Sequence, residues 1–292
     1  MRIVKMGALA AVCATSLSCG DDDGGSGPGS LRIQLSAEET ISDGLRPGAD
    51  EENTVDNTTV SYSKYLVAIG RVKLGRTSSG ESREDPNVYI ADMRSIGEQG
   101  VELFKLDGLA SGQWDQFGYE TPAAPTNAIV QPGVSPADGQ AMIAQQLTYW
   151  VEGTVQREGR SVRFSFQVAA PTVFSACQSD GEPGVTVSEG GQSTAAITLH
   201  GDHLWFDSLP TGSEGTVMRR AEWVLAAADR LGKTELVTAD LANVPAEQVF
   251  PSSLGYNLAG ANIGTALDFV RAQLSTQGHL NGEGECSWDP AP

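Results

Sequence analysis

Histidine is scarce in this chain. There are three in 292 residues, and all three fall within two short strings, His200-Gly201-Asp202-His203 and Gly278-His279-Leu280-Asn281-Gly282-Glu283-Gly284-Glu285-Cys286. Basic residues are also few: 19 Lys and Arg face 37 Asp and Glu, for a formal net charge of −18. Arg2 and Lys5 are the only charges before Cys19, so removing that segment leaves −20. A surface this acidic repels nucleic acid and anionic lipid, and points to cations, neutral molecules or basic proteins as partners. No Gly-x-Ser-x-Gly string is present, so a hydrolase built on a nucleophile elbow has no support. No repeat of fixed period is visible either.

Only four cysteines occur, and two of them sit in an export signal. Arg2 and Lys5 form a basic start, and Met6 to Leu17 is an apolar and small run too short to span a bilayer as a helix. Residues 1–18 therefore read as a signal peptide. Ser16-Leu17-Ser18-Cys19-Gly20 resembles the lipobox of bacterial lipoproteins, although Ser16 stands where an aliphatic residue is usual. On that reading Cys19 is cleaved free and acylated, and residues 19–30, rich in Asp, Gly and Ser, form a tether with almost nothing apolar to bury. Gly20 after the cysteine points to the outer membrane or cell surface as the destination. The anchor makes the membrane a partner through lipid alone.

Cys177 and Cys286 remain. Two cysteines in an exported chain most simply pair, and the long loop they close would give roughly 4–5 kcal/mol of stabilisation. The other reading makes one or both of them thiolate metal ligands, since Cys286 directly follows the second histidine string.

From Leu31 onward the pattern is β-rich. Leu31-Arg32-Ile33-Gln34-Leu35 alternates apolar and polar, and Ser61 to Leu74, Val88 to Ile90 and Val101 to Leu106 continue the habit. Tyr149 to Val155 and Ser161 to Val168 read as a hairpin turning at Glu158-Gly159. Val185 to Val187 and Thr194 to Leu199 read as another, joined through Glu189-Gly190-Gly191. Ser42 to Thr59 and Thr121 to Gly139 read as loops. Many short strands with Gly-rich turns predict a β-sandwich over 31–212.

Beyond Thr216 the period becomes helical, which predicts a small helical subdomain over 213–292 packed on the sandwich. Val217 to Leu231, Thr238 to Asn243 and Ile263 to Gln277 are its helices, with Gly278 as a C-terminal cap. Ala227 to Thr234 ends like a phosphate-binding loop. However, it has Ala227 where the first glycine belongs and follows a helical pattern, so nucleotide binding is rejected.

His200 and His203 flank Gly201-Asp202, which suits a type II′ hairpin turn with the two imidazoles about 5 Å apart on one face. Taken singly, each histidine is better explained by structure. Taken together they predict a metal site of His200, His203 and His279, with Asp207 or Glu285 completing the shell. Three nitrogens and one carboxylate suit a transition metal, zinc or copper before nickel or iron.

Several strings also carry a resemblance: Tyr149-Trp150-Val151-Glu152-Gly153-Thr154, Phe164-Ser165-Phe166 with Cys177 downstream, Thr198 to Asp207, and Gly278 to Cys286. They resemble an uncharacterised group of lipoproteins from myxobacteria and related Gram-negative bacteria, across most of the exported chain. The HGDH and GEGxC strings are the most specific parts. The resemblance implies architecture and address more than mechanism. It also implies a calcium-type acidic loop near Ala228 to Glu235. At the alternating positions before Gly232 only Asp229 supplies oxygen, Ala227 and Leu231 supply none, and Arg230 and Lys233 add positive charge, so calcium is not expected. The group often carries a histidine before the last cysteine, where this chain has Glu285.

Two functions are compatible with the chain. One is capture or storage of a metal, without catalysis, because no separate general base or nucleophile stands out. The other is an adhesion or interaction module whose loops contact a protein or glycan while the histidines form structural glue. Converging imidazole nitrogens would favour the first.

Overall fold

The computed structural model describes residues 27–50, 52–209, 217–258 and 262–290. The signal segment, Cys19 and most of the tether lie outside the described residues, as does the 212/213 boundary between sandwich and helical region.

Alternation sets the frame. In the strand Gly29–Ala37, Leu31, Ile33 and Leu35 are fully buried while Arg32 and Gln34 are half-exposed. This strand starts inside the expected tether. It runs parallel to Gln192–Leu199 and antiparallel to Val101–Leu109, and Gln192–Leu199 in turn pairs with the short strand Gly278–Leu280. These make a four-stranded sheet. The long strand Thr59–Arg76 organises a nine-stranded sheet, pairing with Glu81–Asp92, Gln116–Thr121 and Tyr149–Arg157. The mainly β class is as expected, with small helices towards the C-terminus.

The hairpin of Tyr149–Arg157 and Arg160–Val168 forms as read. Glu158 (φ 51) and Gly159 (φ 80) both take positive φ, the requirement of a type I′ turn. The second expected hairpin does not form. Val185–Val187 pairs instead with Gly112–Trp114, and Gln192–Leu199 joins the first strand across 162 residues of chain. The stretch Thr121 to Gly139 is more than a loop. It holds the two-residue strand Ile129–Val130 and the start of the helix Pro136–Ala144, whose Ser135 cap accepts the Asp138 N–H. Met142 on that helix packs with Leu66, Ile90 and Leu147 in a separate small core.

The C-terminal region adds both helices and strands. Glu222–Leu231 starts later than its pattern, because Arg219 is drawn into bridges with Phe206 and Thr54. The helix start is capped from afar: Asp56 Oδ2 accepts the N–H groups of Ala221 and Glu222 at 2.7 and 2.8 Å. Gly232 takes the left-handed conformation that ends the helix, so the phosphate-loop-like string is a C-cap. Ala266–Leu274 is opened by a capping box between Thr265 and Asp268. It ends on Ser275, and Gly278 begins a strand rather than capping the helix. A Cβ at Gly278 would lie 2.3 Å from the Tyr119 hydroxyl and 2.6 Å from the Phe174 ring, so only glycine allows this approach.

One core cluster runs from Leu31 to Leu280, taking in Trp205 and Trp223. Cys177 and Cys286 form a disulfide beside the antiparallel pair Thr172–Ser175 and Ser287–Pro290. Among the described residues, no helix is long and apolar enough to cross a membrane.

Candidate metal centre

The three histidines converge. Strand Gln192–Leu199 ends next to His200, whose backbone N–H donates to the carbonyl of Gln277. His279 lies in the neighbouring strand, opposite Thr198. His203 is carried by a 3-10 turn, Asp202–Trp205, rather than by the far arm of a hairpin. Gly201 has φ −76, so the expected type II′ turn is absent. Glycine is needed there for space instead, because a Cβ would come within 2.6 Å of Ile41 Cγ1. Its carbonyl accepts the Tyr62 hydroxyl at 2.6 Å, and Trp205 Nε1 donates to the same hydroxyl at 2.7 Å. This fixes the turn against the core.

The three imidazoles are buried, and one ligand nitrogen from each lies within 4.8 Å of the other two. Nε2 of His203 and Nε2 of His279 are 3.3 Å apart. Two ligands held at 2.0–2.1 Å by a tetrahedral zinc are about 3.3 Å from one another. In the metal-free chain the same pair forms a hydrogen bond between the two rings. Thr276 Oγ1 donates its proton to the Gln273 carbonyl at 2.8 Å, so it can only accept from His203 Nδ1, 2.9 Å away. Neutral His203 therefore carries its proton on Nδ1 and turns a bare Nε2 towards His279. Phe206 closes one side, its ring 4.3 Å from that of His203.

Burial holds both rings neutral. It pushes the His203 pKa well below the ordinary histidine value, with the charge of His200 adding to the effect. The His279 pKa is pushed down to about 2 by burial, then by the charges of His200 and His203. The Gly284 backbone lies on the other side of the His279 ring and favours its charged form, opposing the effect of burial. Neutral, buried imidazoles with a bare nitrogen are the form in which histidine binds metals. The group could hold a metal ion.

The carboxylates around it differ from those expected. Asp207 is buried but occupied elsewhere: its Oδ1 accepts the Met218 N–H at 3.1 Å, and its Oδ2 lies 3.5 Å from Arg220 Nε. Glu285 is exposed, and its backbone carbonyl accepts the Gln178 N–H. The structure brings neither into a ligand group with the histidines. Cys286 is in the disulfide, so it is no thiolate ligand.

Two other carboxylates come close instead. Glu38 and Asp202 form a second ligand group with His200. Glu38 Oε1 lies 3.5 Å from His200 Nδ1, while His200 Nε2 lies 3.1 Å from the Gly282 carbonyl. Burial and the nearby Asp202 push the Glu38 carboxyl up to about 8. Asp202 pairs with Arg219, whose Nε and Nη2 reach its Oδ2 at 2.8 and 2.7 Å. Asp202 was legible inside the HGDH string, where it was read as a turn residue. Glu38 was not, since only the parallel register that sets Ala37 beside Leu199 carries it to His200.

No protein-family model matches this chain, and neither does any curated protein or solved structure.

Proposed function

We propose that this chain is an exported, lipid-anchored protein of the outer membrane or cell surface that binds a transition metal without catalysing a reaction. His200, His203 and His279 are the ligands, and zinc or copper is the ion the donor set favours. The observation that carries this reading is the convergence of three buried imidazoles, with Nε2 of His203 and Nε2 of His279 3.3 Å apart. Its export rests on the sequence: a basic start, a short apolar run, a lipobox-like string ending in Cys19 and a polar tether. When bound, the metal would supply a cross-link between the His200–His203 turn and the strand bearing His279.

A second reading keeps the triad as structural glue in an adhesion or interaction module that contacts a protein or glycan. The bonds of His200 to Gly282 and of His203 to Thr276 favour it. The meeting of all three imidazoles at one point, with a ligand nitrogen of each within 4.8 Å of the others, speaks for the metal.

Elemental mass spectrometry on the purified chain separates the two, alongside a His200→Ala/His203→Ala double variant. Near-stoichiometric zinc or copper in the parent, lost in the variant, is the expected result. No metal in the parent after reconstitution with both ions would overturn the metal reading. Export is tested separately, by labelling with a radioactive fatty acid: incorporation that Cys19→Ser abolishes is expected, and its absence would overturn the anchor.

A further inference from the structure

The histidine triad leaves Glu38 and Asp202 without a role, yet both are placed with care. Glu38 follows the strand Gly29–Ala37, and its backbone N–H donates to the Leu199 carbonyl, one residue before His200. Asp202 opens the turn that carries His203. One oxygen from each and one ring nitrogen of His200 lie within 4.8 Å of one another.

The oxygens are incompletely used. Asp202 is 1% exposed, and both Arg219 contacts fall on Oδ2, which leaves Oδ1 buried with no hydrogen-bond partner. Glu38 Oε2 accepts the Thr40 hydroxyl at 2.6 Å, while its Oε1 faces His200 Nδ1 at 3.5 Å. Burying a carboxylate is costly unless a positive charge meets it. The free oxygens and the His200 ring mark where that charge would sit.

We propose that Glu38, Asp202 and His200 form a second, oxygen-rich position for a divalent cation, adjacent to the triad and sharing His200 with it. The centre is then built for two unlike ions. Three imidazoles suit zinc or copper, whereas two carboxylates and one imidazole suit a harder ion such as manganese. Nδ1 of His200 faces Glu38, while Nε2 donates to the Gly282 carbonyl; to serve both ions the ring would release that Nε2 proton to solvent and bridge them as an imidazolate, giving up the Gly282 bond. The second position rests on the triad reading only through this sharing, since its oxygens are placed independently of His203 and His279.

The test counts ions on the full chain, using equilibrium dialysis against Zn²⁺ or Mn²⁺ followed by elemental analysis. The parent protein is expected to take up two equivalents of Zn²⁺, and Glu38→Gln and His203→Ala one each. Parent loaded with a single equivalent of Zn²⁺ should also keep one hydrated-Mn²⁺ equivalent from showing its free six-line spectrum in electron paramagnetic resonance, at a position Glu38→Gln removes. This last measurement on the parent does not depend on any variant folding. A single Zn²⁺ equivalent that Glu38→Gln leaves intact, with no Mn²⁺ bound, would overturn the second position while leaving the triad in place. Loss of an equivalent in Glu38→Gln with none lost in His203→Ala would overturn the triad and leave the carboxylate position standing.

Discussion

The C-terminal stretch from Gly278 to Pro290 is fastened at two corners that could hardly differ more. At one, Cys286 is bonded to Cys177 and the strand Ser287–Pro290 pairs with Thr172–Ser175. At the other, His279 meets His203 through a polar contact between ring nitrogens and His200 ring against ring. The first corner is mechanically complete without the second. Backbone pairing of Gly278–Leu280 with Ile197 to Leu199 holds the strand regardless of its side chains. Three imidazoles are thus buried where they are not needed as fasteners, which is why their convergence is read as a binding site.

The largest expected effect breaks the fastened corner. Cys177→Ser/Cys286→Ser opens a link between residues 109 apart, which should cost roughly 4–5 kcal/mol in urea unfolding. A loss near zero would mean that the histidine corner carries the stretch instead. Next comes Arg219→Met, which leaves Asp202 charged and buried without its partner. Breaking a buried ion pair from one side costs about 3–5 kcal/mol, seen as a lower urea midpoint.

Metal should sharpen the contrast. An ion present at a hundred times its Kd stabilises the folded state by about 2.7 kcal/mol. In a protein of this size that raises Tm by roughly 5–10 °C. The rise should shrink in His279→Ala to what the carboxylate position alone supplies, and survive in full in Asp207→Asn and Glu285→Gln, whose side chains lie outside the ligand groups.

The smallest effect is the pH profile of metal-free protein. The His203 and His279 pKa values are lowered on folding, so their contribution is full above the ordinary histidine value of 6.5 and is lost as pH falls below it. The Glu38 pKa is raised from 4.5 to about 8, so its contribution is full below 4.5 and is lost as pH rises through about 8. From these groups alone, stability peaks near pH 6.5 and falls by roughly 1 kcal/mol towards pH 5 and pH 8. A thermal-melt series after chelation would reveal the peak, and a monotonic rise would show that burial does not hold these groups as described.

Much of the fold is legible because alternation is a local signal. Leu31, Ile33 and Leu35 announce their strand, and Glu158-Gly159 announces its turn. Pairing partners across long separations are not local, so the parallel match of Gly29–Ala37 with Gln192–Leu199 was invisible, and Glu38 with it. The histidines were found because they are rare and clustered. Their geometry was misjudged because Gly201-Asp202 fits a hairpin turn as well as the 3-10 turn that Tyr62 and Ile41 select. Asp207 and Glu285 were chosen for nearness in sequence. Arg220, the Met218 N–H and solvent claim them instead.

The central claim is that three imidazoles from two distant strings meet at one ion. X-ray absorption at the zinc edge, on the full chain loaded with a single equivalent, tests this most directly. The account predicts about three nitrogen scatterers at 2.0–2.1 Å with the outer-shell pattern of imidazole, falling to at most the one of His200 in His203→Ala/His279→Ala. A first shell of oxygen alone, or an imidazole signal that the double variant leaves unchanged, would contradict it.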